Sequence, residues 1–245
     1  MSSRRSSNIS WLPAETVITV LREIPGPAGR LEALLDEPAA GRGVLREGLV
    51  YAGPDAGARA AVVFGHPHPQ MGGTMHTKTV YQSAKALARI GCAVLRFNFR
   101  GAGASAGVFD DGPGEMADFR AGLDFMRTLY PEAPLWAAGM SFGAWIALSV
   151  GAEDPRVSLL LGIAMPVSTY DFGAVASSAK TKCFIHGERD EVCPLKDIQG
   201  FYARTVEPKE LVVIDAADHL FDGKVSEVAD AVEDLLGDWP GQQHA

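Results

Sequence analysis

Residues 134–153 read PLWAAGMSFGAWIALSVGAE, and this stretch decides the fold. Its first half is apolar and compact, as a buried strand is, while its second half spaces Trp145, Leu148 and Ala152 as a helix does. Between the two stands Gly139-Met140-Ser141-Phe142-Gly143, a G-x-S-x-G pattern at a strand-to-helix junction. The junction matters because a serine hydroxyl is a weak nucleophile. It must project from a sharp turn toward a base while backbone N–H groups face a developing oxyanion. Small residues at 139 and 143 let strand and helix approach closely enough to make that turn. A Gly/Ser turn that merely joins a strand to a helix would carry the same five residues, so the rest of the chain has to discriminate.

Outward from this stretch, strand-like and helix-like segments alternate. On the N-terminal side, residues 60–65 (AAVVFG) and 92–99 (CAVLRFNF) read as buried strands, with helical runs over 77–90 and 111–129. The second helix carries Met116, Phe119, Leu123 and Met126 along one side. Further upstream, 16–23, 31–36 and 48–52 are candidate antiparallel edge strands separated by Pro/Gly turns such as PGPAG and AGPDAG. On the C-terminal side come strands at 157–164, 181–185 and 210–214, with helices at 195–205 and 224–236. Such repetition predicts an α/β fold with a mostly parallel central sheet and helices on both faces. Sites in such sheets lie at the carboxyl ends of the strands. Those ends read GHPHPQMGGT, RGAGASAG, the Ser141 turn, HGERDEVCP and DAADHLFDG, and three of the five hold a residue that a serine nucleophile requires.

Composition narrows the function classes. The 245 residues are 47% hydrophobic and 21% charged, which fits one globular domain over 11–240 behind a flexible tail at 1–10. The net charge of -8 and the lack of a basic run argue against nucleic acid. No stretch is long and apolar enough to span a membrane. Arg4-Arg5 matches a twin-arginine signal only by accident, because Pro13 and Glu15 interrupt the apolar region that should follow. A cytoplasmic location is the expectation by default. Cys92, Cys183 and Cys193 lack metal-ligand spacing and read as buried free thiols.

Taken together, these features resemble the α/β-hydrolase superfamily from about residue 45 to 237. The resemblance rests on Ser141 in the elbow, Asp190 in HGERDEVCP and His219 in DAADHLF, in the chain order Ser, Asp, His. FNFRGAGAS is similar to the family's strand and glycine turn before the elbow. The HPHP segment resembles the oxyanion loop of small members near the dienelactone hydrolases, which carry cysteine where this chain has Ser141. The resemblance implies a small capless serine hydrolase of the carboxylesterase-like branch, acting without cofactor or metal.

On that resemblance Ser141 attacks an acyl carbonyl, His219 takes and returns the proton, and Asp190 orients the imidazole. Glu188 and Glu191 compete for the acid role, while Asp215 and Asp218 sit near enough to His219 in the chain to shape its loop instead. Five other histidines compete for the base: His66, His68, His76, His186 and His244. For the oxyanion, one N–H is expected from Phe142 and the second from the loop after 60–65. Pro67 and Pro69 have no N–H, which leaves His68 first and Gln70 second. His66 and His68 form no metal site, because no nearby carboxylate or cysteine completes one. GAGASAG at 101–107 is a poor match to a dinucleotide fingerprint, its third glycine falling one place late. Cys193 reads as a packed small residue under the acid loop.

Only 166–180 separates the strand after the elbow from the next, so a short flap is expected, with Tyr170 and Phe172 as substrate-binding walls. The expected partner is a small-molecule ester, with thioesters and lactones as further options and the protein a monomer or homodimer. A prolyl-type serine peptidase and a small-ligand binding protein with little turnover are the alternatives.

Overall fold

A computed structural model describes residues 21–38, 44–46, 49–51 and 57–238. The tail expected at 1–10, and most of the strand expected at 16–23, lie outside the described residues. The first described strands, β1 (Glu23–Gly26) and β2 (Gly29–Asp36), form an antiparallel hairpin. Its turn falls at 27–28. Pro25 therefore stands in a strand and not in the turn expected at PGPAG, a placement open to proline because β1 lies at the sheet edge. β3 (Val44–Arg46) and β4 (Leu49–Tyr51) make a separate antiparallel pair.

The repeating part then runs β5 (Ala61–Gly65), α1 (Lys78–Arg89), β6 (Ala93–Phe97), α2 (Pro113–Leu129), β7 (Leu135–Met140) and α3 (Phe142–Glu153). It continues with β8 (Val157–Ile163), α4 (Gly173–Ser177), β9 (Thr181–Gly187), α5 (Leu195–Arg204), β10 (Lys209–Ile214) and α6 (Val225–Leu236). The eight-stranded sheet has the order β1-β2-β6-β5-β7-β8-β9-β10. β2 meets β6 antiparallel, and every pairing from β6 to β10 is parallel. The expected α/β architecture with a mostly parallel sheet is what the chain adopts.

The two strands at the middle of the sheet, β5 and β7, are apolar without interruption because both of their faces are covered. Along β5, Ala61 and Val63 point into one core with Phe119, Leu123 and Met126 of α2 and Ile146 of α3. Val62 and Phe64 point into the other, with Val80 and Leu87 of α1 and Val228 and Val232 of α6. The same alternation divides Leu135 and Ala137 from Trp136 and Ala138 on β7. Helix α3 is apolar nearly all round, and Phe142, Ala144, Ile146, Ala147, Leu148 and Val150 are all buried. A helix buried on so many sides holds its N-terminus rigidly at the sheet's carboxyl edge.

Three glycines bring the elbow into register. A Cβ at Gly139 would collide with the carbonyl of Gly143, and one at Gly143 would collide with the backbone of Gly65 and the carbonyl of His66. The ends of β5 and β7 thus meet the first turn of α3 backbone to backbone. Gly143→Ala is expected to cost about 2–4 kcal/mol, since the obstructing atoms are main chain and cannot swing aside. For a chain of this size that corresponds to a fall of about 5–15 °C in thermal midpoint. Gly200→Ala in α5, where a Cβ meets nothing within 4 Å, serves as the control and should be neutral or slightly stabilising in the same melting experiment.

Candidate active site

Ser141 caps α3 with φ 55° and ψ −123°, a left-handed conformation rarely held by a residue with a side chain. Such strain persists only where the surroundings enforce it. Here Ser141 N–H donates to the Ile163 carbonyl at the end of β8 (2.9 Å), and the glycine contacts fix the two sides of the turn. The hydroxyl projects from the sheet's carboxyl edge, where Oγ lies 2.9 Å from His219 Nε2. The opposite ring nitrogen, Nδ1, lies 2.8 Å from Asp190 Oδ2. The three side chains come from the ends of β7, β9 and β10 and are almost wholly buried, at 8%, 4% and 6% exposure for Ser141, Asp190 and His219.

The carboxylate is pinned from behind. Asp190 Oδ1 accepts from the N–H groups of Val192 (2.9 Å) and Cys193 (2.8 Å), which leaves Oδ2 for the imidazole. Burial alone would push the Asp190 carboxyl up, but the hydrogen bonds from His219 and Cys193 outweigh it and hold the group below the usual carboxylate range. It is an anion facing Nδ1, so Nδ1 carries the proton and Nε2 is left to accept from Ser141.

The competing acids all serve the histidine loop. Glu188 Oε2 accepts from Ala216 N–H (2.9 Å), and Glu191 Oε2 accepts from the backbone N–H of His219 itself (3.2 Å). Asp218 Oδ1 accepts from Asp222 N–H. These bonds brace a loop whose Ala216 and Phe221 both have positive φ, and the Thr79 hydroxyl of α1 holds the Leu220 carbonyl from the other side. Glu188 and Glu191 as positioning groups were not foreseen from the sequence. Their spacing to the histidine loop becomes visible only once β9 and β10 are paired up to Gly187 and Ile214. His186 is buried under Asp190, with Nε2 donating to the Cys193 carbonyl (2.8 Å) and lying 3.6 Å from Asp190 Oδ2.

The two amides expected to face the oxyanion are those of Phe142 and His68. Phe142 N–H opens α3 and has no acceptor within the helix. His68 stands in the loop after β5, its ring 5.0 Å from that of Phe142, and its N–H has no hydrogen-bond partner among the described residues. Gln70, the second choice for this role, is occupied: its N–H donates to His68 Nδ1 at 3.2 Å. The loop is closed by a 3-10 turn at Pro69–Met71, by Gly72 in the left-handed region and by Gly73 N–H donating to the His68 carbonyl.

The predicted walls part company. Tyr170 stacks on Trp145 (4.3 Å between centroids, 11° apart) and packs edge-on against Phe142. Phe172 is not brought to the site. It is buried in the core with its ring 5.9 Å from Phe201, because the segment expected to be a short flap turns into α4 and sinks Val175 as well. Phe109 and Trp145 complete the aromatic group around Phe142, at 5.7 Å each. Neither was singled out in the sequence, since Phe109 follows a glycine-rich loop and Trp145 reads as an ordinary helical position.

His66 is a strut and not half of a metal pair. Fully buried, it approaches the Pro67 carbonyl through Nδ1 (2.6 Å) and accepts the Phe99 N–H through Nε2 (3.0 Å), so the neutral Nδ1–H tautomer satisfies both contacts. Burial lowers its pKa from 6.5 to about 4. The unfolded chain therefore binds this proton more readily than the folded one between those values, and stability present above pH 6.5 is lost as the pH falls toward 4. The loss attributable to His66 should reach about 3 kcal/mol. Urea unfolding at pH 7 and pH 4.5 measures it, and a His66→Asn variant should flatten that part of the acid limb.

Among the described residues no three His, Cys, Asp or Glu side chains group as a metal site, and no helix is long and apolar enough to cross a membrane. Cys92, Cys183 and Cys193 are buried free thiols.

Comparison with known proteins bears on the family and the fold. Residues 56–167 match the family described as serine aminopeptidase, S33. An uncharacterized protein of Rickettsia prowazekii is 37% identical over 180 residues, covering 70% of this chain and 76% of that one. An α/β serine hydrolase homologue from Coxiella burnetii superposes with a TM-score of 0.76 at 34% identity, covering 87% of this chain and 95% of its own. A serine hydrolase without lid from Xanthomonas campestris superposes with a TM-score of 0.75 at 32% identity, covering 86% and 90%. In fold, in the short connection after β8 and in kinship with these proteins, the chain belongs to the α/β-hydrolase superfamily, among its small serine hydrolases without a cap.

Proposed function

We propose that the protein cleaves small carboxylic esters through an acyl-enzyme on Ser141. The observation that carries this reading is the unbroken chain from Ser141 Oγ through His219 to Asp190, at 2.9 and 2.8 Å, on a serine held at positive φ. His219 removes the hydroxyl proton as Oγ attacks, Asp190 stabilises the imidazolium, and the amides of Phe142 and His68 receive the oxyanion. The imidazolium then protonates the departing alcohol. A water molecule, activated by the same histidine, releases the acid and restores Ser141. No cofactor enters these steps. The half-buried aromatic group of Phe109, Trp145 and Tyr170 beside Phe142 supports apolar acyl or alcohol groups at the substrate's centre.

A peptidase reading has one specific support, the family match over residues 56–167. Amide and ester cleavage share the acyl-enzyme, so the two differ in the leaving group and not in the residues assigned. Treating the protein with a fluorophosphonate and mapping the modified peptide tests both. Modification at Ser141 is expected. Its absence would favour the reading of a ligand-binding protein with little turnover. Initial rates on a chain-length series of nitrophenyl esters against prolyl nitroanilides then separate esterase from peptidase, with the esters expected to be faster.

A further inference from the structure

We infer that His66 is a positioning residue for the oxyanion site: by holding the Pro67 carbonyl, its imidazole fixes the peptide plane that aims the His68 N–H. The inference rests on the acyl-enzyme reading given above and adds a residue to it.

The geometry runs through one peptide unit. In a trans peptide the carbonyl of one residue and the N–H of the next lie in one plane and point in opposite directions. The Pro67 carbonyl therefore sets the direction of the His68 N–H. His66 Nδ1 stands 2.6 Å from that carbonyl oxygen, close enough for a strong hydrogen bond. Its Nε2 in turn accepts from Phe99 N–H, two residues past the end of β6, 3.0 Å away, and its ring packs 4.8 Å from that of Phe99. The imidazole thus bridges the loop after β5 to the loop after β6, with both ring nitrogens committed.

A second contact restrains the same peptide. Gly73 lies so near the Pro67 carbonyl that a Cβ there would collide with both its carbon and its oxygen. The peptide plane is therefore gripped by a hydrogen bond from His66 and by the Gly73 backbone, in a loop whose residues 67 and 69 are prolines with narrow φ. Such a plane cannot rotate when charge develops on the substrate. Electrostatic stabilisation of an oxyanion depends on donors that are already oriented. A buried histidine that served only packing would not require its two nitrogens on two different loop peptides, one of them the Pro67–His68 peptide that carries the His68 N–H.

Two substitutions divide the imidazole's contacts. His66→Asn places an amide donor near the Nδ1 position and loses the acceptor for Phe99. His66→Gln reaches the Nε2 position and loses the donor to Pro67. The readout is a pair of substrates differing only in C=O against C=S, because the larger, weakly accepting sulfur gains little from oxyanion donors. In His66→Gln, kcat for the oxoester is expected to fall about 10²-fold, the cost typical of losing one such donor, with KM changed less than about threefold. The oxoester-to-thionoester rate ratio should fall in parallel. His66→Asn should recover most of both.

Equal losses on the two substrates in both variants would mean a structural role and overturn the inference, as would a wild-type ratio in His66→Gln. If neither variant folds, nitrogen-15 spectra of wild-type protein labelled at histidine decide the matter. An Nδ1–H tautomer protected from exchange supports the strut, and an Nε2–H tautomer overturns it. Fluorophosphonate modification of Ser141 in wild type is measured alongside. Its failure would remove the acyl-enzyme reading itself, whereas a modified serine with an unchanged ratio would remove only the role of His66.

Discussion

Ser141→Ala is expected to reduce kcat on a nitrophenyl ester by about five to six orders of magnitude while leaving the thermal midpoint within a few degrees of wild type. The loss follows from the geometry of one bond. Ser141 Oγ is the atom 2.9 Å from His219 Nε2, and its removal leaves the imidazole with no nucleophile to activate. Water cannot replace it at comparable rate, because the turn presents the hydroxyl and not a solvent molecule to the attacking position. Knocking out the nucleophile of a serine triad costs about 10⁶ in kcat, and the residual rate reflects the oxyanion donors and substrate binding.

Stability should change little for separable reasons. The serine N–H still donates to Ile163, alanine keeps the same Cβ at φ 55°, and a single side-chain hydrogen bond contributes only about 1 kcal/mol net. Steady-state kinetics and a melting curve on the same preparation measure both quantities. Near-normal turnover in a folded variant would end the assignment of Ser141 as nucleophile.

How much of this was legible in the sequence depended on what each residue answers to. The elbow was readable because its constraints are local. Gly139 is required by backbone contact across the turn, Gly143 is the exception in answering to Gly65 and His66 at the end of β5, and β5 and β7 read as unbroken apolar runs because helices cover both faces. The acid loop was harder. Glu188, Asp190 and Glu191 share charge and polarity, and only the pairing of β9 with β10 shows that the two longer side chains reach backbone amides at 216 and 219. Asp190, one methylene shorter, reaches the ring.

Tyr170 and Phe172 were equivalent as letters in a flap. Phe172 caps the short helix α4 and turns its ring to Phe201, whereas Tyr170, two residues earlier, keeps its ring on Phe142. For His66 the sequence excludes a metal pair with His68, two residues on, but assigns it no role of its own. The sequence does not show that His66 has both nitrogens bound to the main chain.

Asp190→Asn should lower kcat by about 10⁴-fold, and it discriminates among the three acids of that loop more sharply than any truncation. The amide is isosteric with the carboxylate, and Oδ1 can still accept from Val192 and Cys193 N–H. That preference orients the new NH2 group toward His219. An N–H donor now faces Nδ1, which favours the tautomer bearing its proton on Nε2. Nε2 then donates to Ser141 where it should accept, so the base is present but misprotonated. The equivalent change in a serine triad drops kcat about 10⁴-fold with geometry intact. Glu191→Gln tests the alternative, since its amide oxygen can still accept from the His219 N–H and no ring nitrogen depends on its charge. That variant should stay within about tenfold of wild type, the cost of replacing a charged acceptor by a neutral one. Measured as kcat on one ester across pH 6–9, the ordering Asp190→Asn far below Glu191→Gln places the orienting acid at 190, and the reverse ordering moves it to 191.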